Sequence, residues 1–122
     1  MTSRDSAQID RVLDAARKRI APRVDPSQLS ALAPKTLIVD LRPWEQRLRD
    51  GELPDAIQID RNVLEWRLDP TSPHRSPMCK PGQSVVLVCD EGYQSSLAAS
   101  ALRDLGVEAT DLIGGFQAWR AL

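Results

Sequence analysis

The chain has 122 residues, enough for one domain with a real hydrophobic core and too few for two ordinary ones. Its 16 basic and 17 acidic residues nearly cancel, which leaves no case for a nucleic-acid or polybasic membrane surface. Two cysteines and one histidine make neither a disulfide framework nor a metal-ligand cluster, so no metal is expected.

Met1 to Ala7 is polar and lacks an apolar core segment, and the apolar runs further on are strand-sized, so the reading is of no signal peptide, no membrane span and a cytoplasmic protein. Ile9, Val12, Leu13, Ala16 and Ile20 recur at helical spacing among charged positions. They predict an amphipathic helix within residues 1–21 whose stripe packs on the domain formed by residues 22–122. Pro22 ends that helix. Arg23-Val24 has room only for a short edge strand, and Asp25 or Ser27 can cap a short helix running to Leu32.

Thr36 to Asp40 is a buried-type strand that ends in an acid, followed by Leu41-Arg42-Pro43-Trp44-Glu45. Gly51 to Asp55 is a turn leading into a strand at Ala56 to Ile59. Asp60 to Leu68 then permits a short helix. Because this segment starts at a strand's carboxyl end, Arg61 is a candidate for the mouth of any cleft there, against the ordinary outcome of a solvated or surface-paired arginine. Asp69 to Pro81 carries four prolines and reads as an irregular loop. Cys79 and His74 lie in it, the first read as a partly buried thiol and the second as a surface residue.

Val85 to Val88 has no polar face and predicts a strand buried on both sides, with Cys89 closing it. Asp90 to Gln94 turn around Gly92, and a small-residue helix starts at Ser95 and stops before Gly106. In open α/β sheets, ligands collect at the carboxyl ends of strands, where the free N–H groups of the next helix point outward. Cys89 therefore belongs at the rim of an anion-receptive cradle. A last strand follows at Glu108 to Ile113, and Gly114-Gly115-Phe116-Gln117-Ala118-Trp119 is a glycine turn into a terminal helix, with Phe116 and Trp119 as core.

Cys89-Asp90-Glu91-Gly92-Tyr93-Gln94-Ser95 resembles the active-site loop of the rhodanese (sulfurtransferase) family, C-x-x-G-x-R-S, with Gln94 where that pattern has arginine. Asp40-Leu41-Arg42 resembles the family's D-x-R, Gly51 to Ala56 its G-H-I-P-G-A, and Gly114 to Trp119 its closing G-G-x-x-A-W. The resemblance runs from about Val24 to Trp119. It implies an α/β rhodanese-like fold, a mainly parallel five-stranded sheet with helices on both faces, and a persulfide carried on Cys89 by chemistry that needs no cofactor. Asp90, Glu91, Gly92, Tyr93, Gln94 and Ser95 would form the substrate-binding loop. Partners would be a sulfur donor, either a small molecule or a protein persulfide, and a thiol or other nucleophilic acceptor.

An ordinary thiol is largely protonated at neutral pH, and only the thiolate attacks. Loop amides and the helix terminus favour the anion by about 0.3–1 kcal/mol. Asp90 and Glu91, taken at ~7 Å and an effective dielectric near ~40, would each oppose it by about 1 kcal/mol. The near balance makes a strongly activated thiolate depend on a further cation, with Arg61, Arg42 and Arg67 as the candidates. Arg42 is read chiefly as structural. Without the loop arginine, a small dianion such as thiosulfate is a poor donor, and a neutral thiol or persulfide suffers less.

Two other classes compete. A binding or regulatory module on the same fold would keep Cys89 without significant turnover. A cysteine phosphatase or arsenate reductase would need an arginine six residues after the cysteine, where this chain has Ser95. Thioredoxin-like chemistry lacks its C-x-x-C, and a merely structural thiol fits poorly with a cysteine at a strand end before a glycine turn.

Overall fold

In the computed structural model, which describes residues 7–32 and 35–122, strands and helices alternate along the chain. Most of the polar N-terminal stretch read from the sequence, residues 1–6, lies outside the described part. The order is α1 (Gln8–Ile20), α2 (Leu29–Leu32), β1 (Leu37–Asp40), α3 (Trp44–Asp50), β2 (Ala56–Gln58), α4 (Leu64–Leu68), β3 (Ser84–Val88), α5 (Gln94–Arg103), β4 (Glu108–Asp111) and α6 (Gly115–Arg120). Single 3₁₀ turns at Pro26–Gln28 and Arg61–Val63 lead into α2 and α4. Asp25 accepts from the Ser27 N–H while Gln28 reaches back to the Asp25 N–H, a reciprocal cap.

All pairings are parallel and the strand order is β2-β1-β3-β4. The central strands β1 and β3 are almost wholly buried, as their unbroken apolar sequences require. Leu37, Val39, Val85 and Leu87 face one layer, shared with Ile20 of α1, Leu64 and Leu68 of α4, and Ala98, Ala99 and Leu102 of α5. Ile38, Val86 and Val88 face the other, with Leu29 and Phe116. Among the described residues no helix is long and apolar enough to cross a membrane.

The sheet has four strands rather than five. The expected edge strand at Arg23-Val24 is a single bridge, Val24 to Leu112, closed by Val24 N–H to the Asp111 carbonyl and Ile113 N–H to the Val24 carbonyl, both 2.9 Å. Prolines at 22 and 26 have no N–H to extend that ladder. Trp119 is half-buried rather than core, its ring 5.4 Å from that of Phe116 at the edge of the second layer. α1 packs against the sheet layers: its Ala16 and Ile20 are buried, and the Thr110 hydroxyl donates to the Ile20 carbonyl at 2.8 Å.

Candidate functional site

Cys89 follows directly on β3, at the carboxyl edge of the sheet. Its position is set from beneath by α6. The Phe116 N–H donates to the Cys89 carbonyl at 2.8 Å and the Gln117 N–H to the Asp90 carbonyl at 3.0 Å, so the unpaired amides of one helix start hold the carbonyls of the cysteine loop. This needs a very close approach. A Cβ on Gly115 would stand 2.5 Å from the Cys89 carbonyl oxygen, and one on Gly92 would stand 2.8 Å from the Gly114 nitrogen. The double glycine therefore lets the turn press against the loop.

With carbonyls drawn outward, the loop's amides converge on sulfur. Cys89 Sγ accepts from the Gly92 N–H at 3.2 Å and the Ser95 N–H at 3.3 Å, and lies 3.2 Å from Ser95 Oγ. Ser95 Oγ is also 2.7 Å from Asp111 Oδ2. A hydroxyl has one proton, and the nearer carboxylate takes it. Ser95 Oγ thus accepts from the thiol S–H here, and must rotate to donate to a thiolate.

Asp111, fully buried at the end of β4, gathers this layer. It also accepts from Ser96 Oγ at 2.7 Å and forms a two-point ion pair with Arg23, Nε to Oδ1 at 2.7 Å and Nη2 to Oδ2 at 3.2 Å. The Gly92 carbonyl receives Arg17 Nη2 at 2.8 Å and Arg23 Nη2 at 3.2 Å. None of Arg17, Arg23, Ser96 and Asp111 was singled out by the sequence reading. An acid ending a strand, as Asp40 does, was the signal available for Asp111. Arg17 is one of three basic residues in the last turn of α1 and had no distinguishing mark.

A cleft of about 310 Å³ opens over Cys89, between Leu41, Arg42, Pro43 and Gln46 on one side and Asp90, Glu91, Tyr93 and Gln94 on the other. The Asp90 carboxylate is engaged by other groups: it accepts from Gln117 Nε2 at 2.8 Å and lies 3.5 Å from Arg49. Gln117 also donates to Asp50, which pairs with Arg49 and Arg120. These hydrogen bonds, that of Arg49 first, hold the Asp50 carboxyl well below the usual carboxylate range. Glu91, Tyr93 and Gln94 are exposed or border solvent at the mouth, while Ser95 is buried behind them.

The three candidate cations fall in three different places. Arg42 lines the cleft, but its guanidinium is fully buried, paired with Asp40 at 2.9 Å, bonded to the Gly51 carbonyl at 2.8 Å and stacked 3.5 Å from the Phe116 ring centroid; its Nη1 has no hydrogen-bond partner. Arg61 reaches the loop, with Nε 3.4 Å from Gln94 Oε1 and Nη1 bound to Glu65 at 2.7 Å. Arg67 is turned to the 69–81 segment, donating to the His74 carbonyl at 3.0 Å, and does not line the cleft. Cys79 does not line it either. Burial pushes its thiol up from the ordinary value. His74 is exposed, and no group of three or more His, Cys, Asp or Glu suited to a metal occurs among the described residues.

Among solved structures, a protein of unknown function from Rhodopseudomonas palustris CGA009, described as a possible tyrosine phosphatase, is 32% identical with a TM-score of 0.85, covering 99% of this chain and 95% of its own. A rhodanese homologue from the extreme thermophile Thermus thermophilus is 30% identical over 78% of this chain and 96% of its own, TM-score 0.56. A thiosulfate sulfurtransferase from Pseudomonas aeruginosa, 22% identical over 81% of this chain and 18% of its own, shares the fold at TM-score 0.63. No curated protein matches the sequence significantly. The family model for the rhodanese-like domain matches residues 25–122, and with the parallel sheet and the cysteine loop described above, the chain belongs to the rhodanese-like domain family.

Proposed function

We propose that the protein is a sulfurtransferase or persulfide carrier that holds sulfane sulfur on Cys89. The observation that carries this reading is the position of Cys89 Sγ beneath the cleft, with two backbone N–H groups directed at it. Backbone donors fixed by the fold stabilise an anion without reorganising, and they serve a thiolate and a persulfide alike.

The chemistry is two displacements at sulfur. The Cys89 thiolate attacks the outer sulfur of a persulfide R–S–SH, the S–S bond breaks, Cys89-S-SH forms and R–S⁻ leaves. An acceptor thiolate R′–S⁻ then attacks the outer sulfur of Cys89-S-SH, the Cys89 S–S bond breaks, R′–S–SH forms and the Cys89 thiolate returns. No net oxidation occurs, and no cofactor is required. Donor preference follows from charge. Gln94 is neutral, Glu91 lies at the mouth, and Arg61 is paired with Glu65, so thiosulfate gains little from these side chains on entering.

A second reading is a binding or regulatory module with negligible turnover. Its support is the Ser95 proton, committed to Asp111, which leaves the hydroxyl accepting from the thiol and does nothing for the thiolate. The two are separated by initial rates of sulfur transfer to a small thiol from thiosulfate, 3-mercaptopyruvate and a low-molecular-weight persulfide. The carrier reading expects the persulfide to be fastest, thiosulfate slowest, and Cys89→Ser inactive. Equal rates for Cys89→Ser and the unaltered protein with every donor would refute it.

A further inference from the structure

The Gly92 carbonyl is the meeting point of two guanidinium groups that come from outside the residues matched by the family model. Arg17 projects from α1 and Arg23 from the link after it, while the match begins at residue 25. Arg23 is paired with Asp111. Arg17 differs: its contacts among the described residues are the Gly92 carbonyl, Ser96 Oγ at 3.2 Å and the face of Tyr93, 5.4 Å from the ring centroid, none of them a carboxylate.

The Gly92–Tyr93 peptide is trans, since the cis bond among the described residues is Ala21–Pro22. In a trans peptide the N–H points opposite to the C=O. Arg17 draws the Gly92 carbonyl toward α1, behind the loop. An anchor on the Gly92 carbonyl therefore also sets the direction of the Tyr93 N–H, next to the Gly92 and Ser95 amides that meet the sulfur.

We propose that Arg17 is a positioning residue for Cys89: through the Gly92 carbonyl it fixes the Tyr93 N–H toward the cleft, and it brings to the back of the loop a positive charge that meets no carboxylate among the described residues. This rests on the reading of Cys89 as the reactive sulfur, and it makes α1 a working part of the site rather than only a cover for the core.

The test compares Arg17→Met and Arg17→Lys with the unaltered protein. Cys89 is alkylated in the native state with anionic iodoacetate and with neutral iodoacetamide, and the two rates are read at the Cys89 peptide by mass spectrometry. One partly screened unit charge within a Debye length favours the anion by about threefold. Arg17→Met is therefore expected to lower the iodoacetate to iodoacetamide rate ratio about threefold, Arg17→Lys to restore most of it, and the Tyr93 amide resonance to move in Arg17→Met.

An unchanged ratio in Arg17→Met would overturn the proposal whether or not the Tyr93 amide moves, since the Tyr93 ring itself lies against Arg17. So would an equal slowing with both reagents, which marks a purely structural role. The ratio is independent of sulfur loading: a protein that never takes up sulfur but shows the threefold change defeats the proposed function and leaves the role of Arg17 standing. One that loads sulfur with an unchanged ratio does the reverse.

Discussion

Replacing Gly115 by alanine tests whether the glycine turn positions the cysteine loop. Gly115 has φ of +65°, and its added Cβ would meet the Cys89 carbonyl oxygen at 2.5 Å and the Asp90 carbonyl carbon and oxygen at 2.7 Å each. These are backbone atoms pinned by the Phe116 and Gln117 N–H groups, so they cannot yield without loss of those bonds. Gly106 is the control: φ is +78°, and its Cβ would meet nothing within 4 Å. The left-handed conformation alone costs alanine about 1 kcal/mol, which is the expected loss for Gly106→Ala. Gly115→Ala adds an overpacking cost of about 1–3 kcal/mol, for a total of about 2–4 kcal/mol. With an unfolding entropy of roughly 0.26 kcal/mol/K for a chain of this size, the expected falls in Tm are about 4 °C and about 8–15 °C. Scanning calorimetry reads both. Sulfur loading should slow in Gly115→Ala and be unchanged in Gly106→Ala. Equal Tm losses in the two variants would show that the turn relaxes freely and that the close approach does not hold the loop.

Three further outcomes follow from the same contacts. Ser95→Ala removes a bond to buried Asp111 and the hydroxyl beside Sγ, so it should cost about 1–3 kcal/mol in urea denaturation and slow sulfur loading, with Ser95→Thr milder in both. Asp50 is held below the usual carboxylate range in the fold, so its contribution is complete above the unfolded carboxyl value near ~4 and is lost as pH falls from there toward the depressed folded value. The gap in urea midpoint between the unaltered protein and Asp50→Asn should be widest at neutral pH and narrow below pH ~4. Cys79 has the opposite sign of shift. Its buried thiol keeps its proton to higher pH than the unfolded chain does, so stability falls as pH rises through and above the unfolded thiol range, and Cys79→Ala should flatten that alkaline loss in the same assay.

The central strands were legible because Val85 to Val88 and Leu37 to Val39 have no polar face, and only a doubly covered parallel sheet uses such runs. The cysteine's place was legible for the same reason, since the strand end fixes where the next residue emerges. The Gly-Gly turn was recognisable as a motif, but its reason was not: only the 2.5 Å approach to the Cys89 carbonyl shows that it supports the loop. Arg23-Val24 reads as a strand and is only a bridge, because a β-branched residue says nothing about how many neighbours can donate hydrogen bonds. The charge balance around Cys89 was the least legible part. Sequence distance made Asp90 and Glu91 the dominant charges, whereas the fold ties Asp90 to Gln117 and brings Arg17, Arg23 and Asp111 from positions 16 to 75 residues away from their loop contacts. Long-range pairs of this kind leave no local pattern.

The most direct test of the account is the intact mass of the purified protein after incubation with a low-molecular-weight persulfide, alongside Cys89→Ser and Cys79→Ser. A gain of one sulfur atom that survives in Cys79→Ser, vanishes in Cys89→Ser and is discharged by added thiol is the expected result. A folded protein that gains no sulfur, or gains it equally in Cys89→Ser, would contradict the assignment of Cys89 as the carrier.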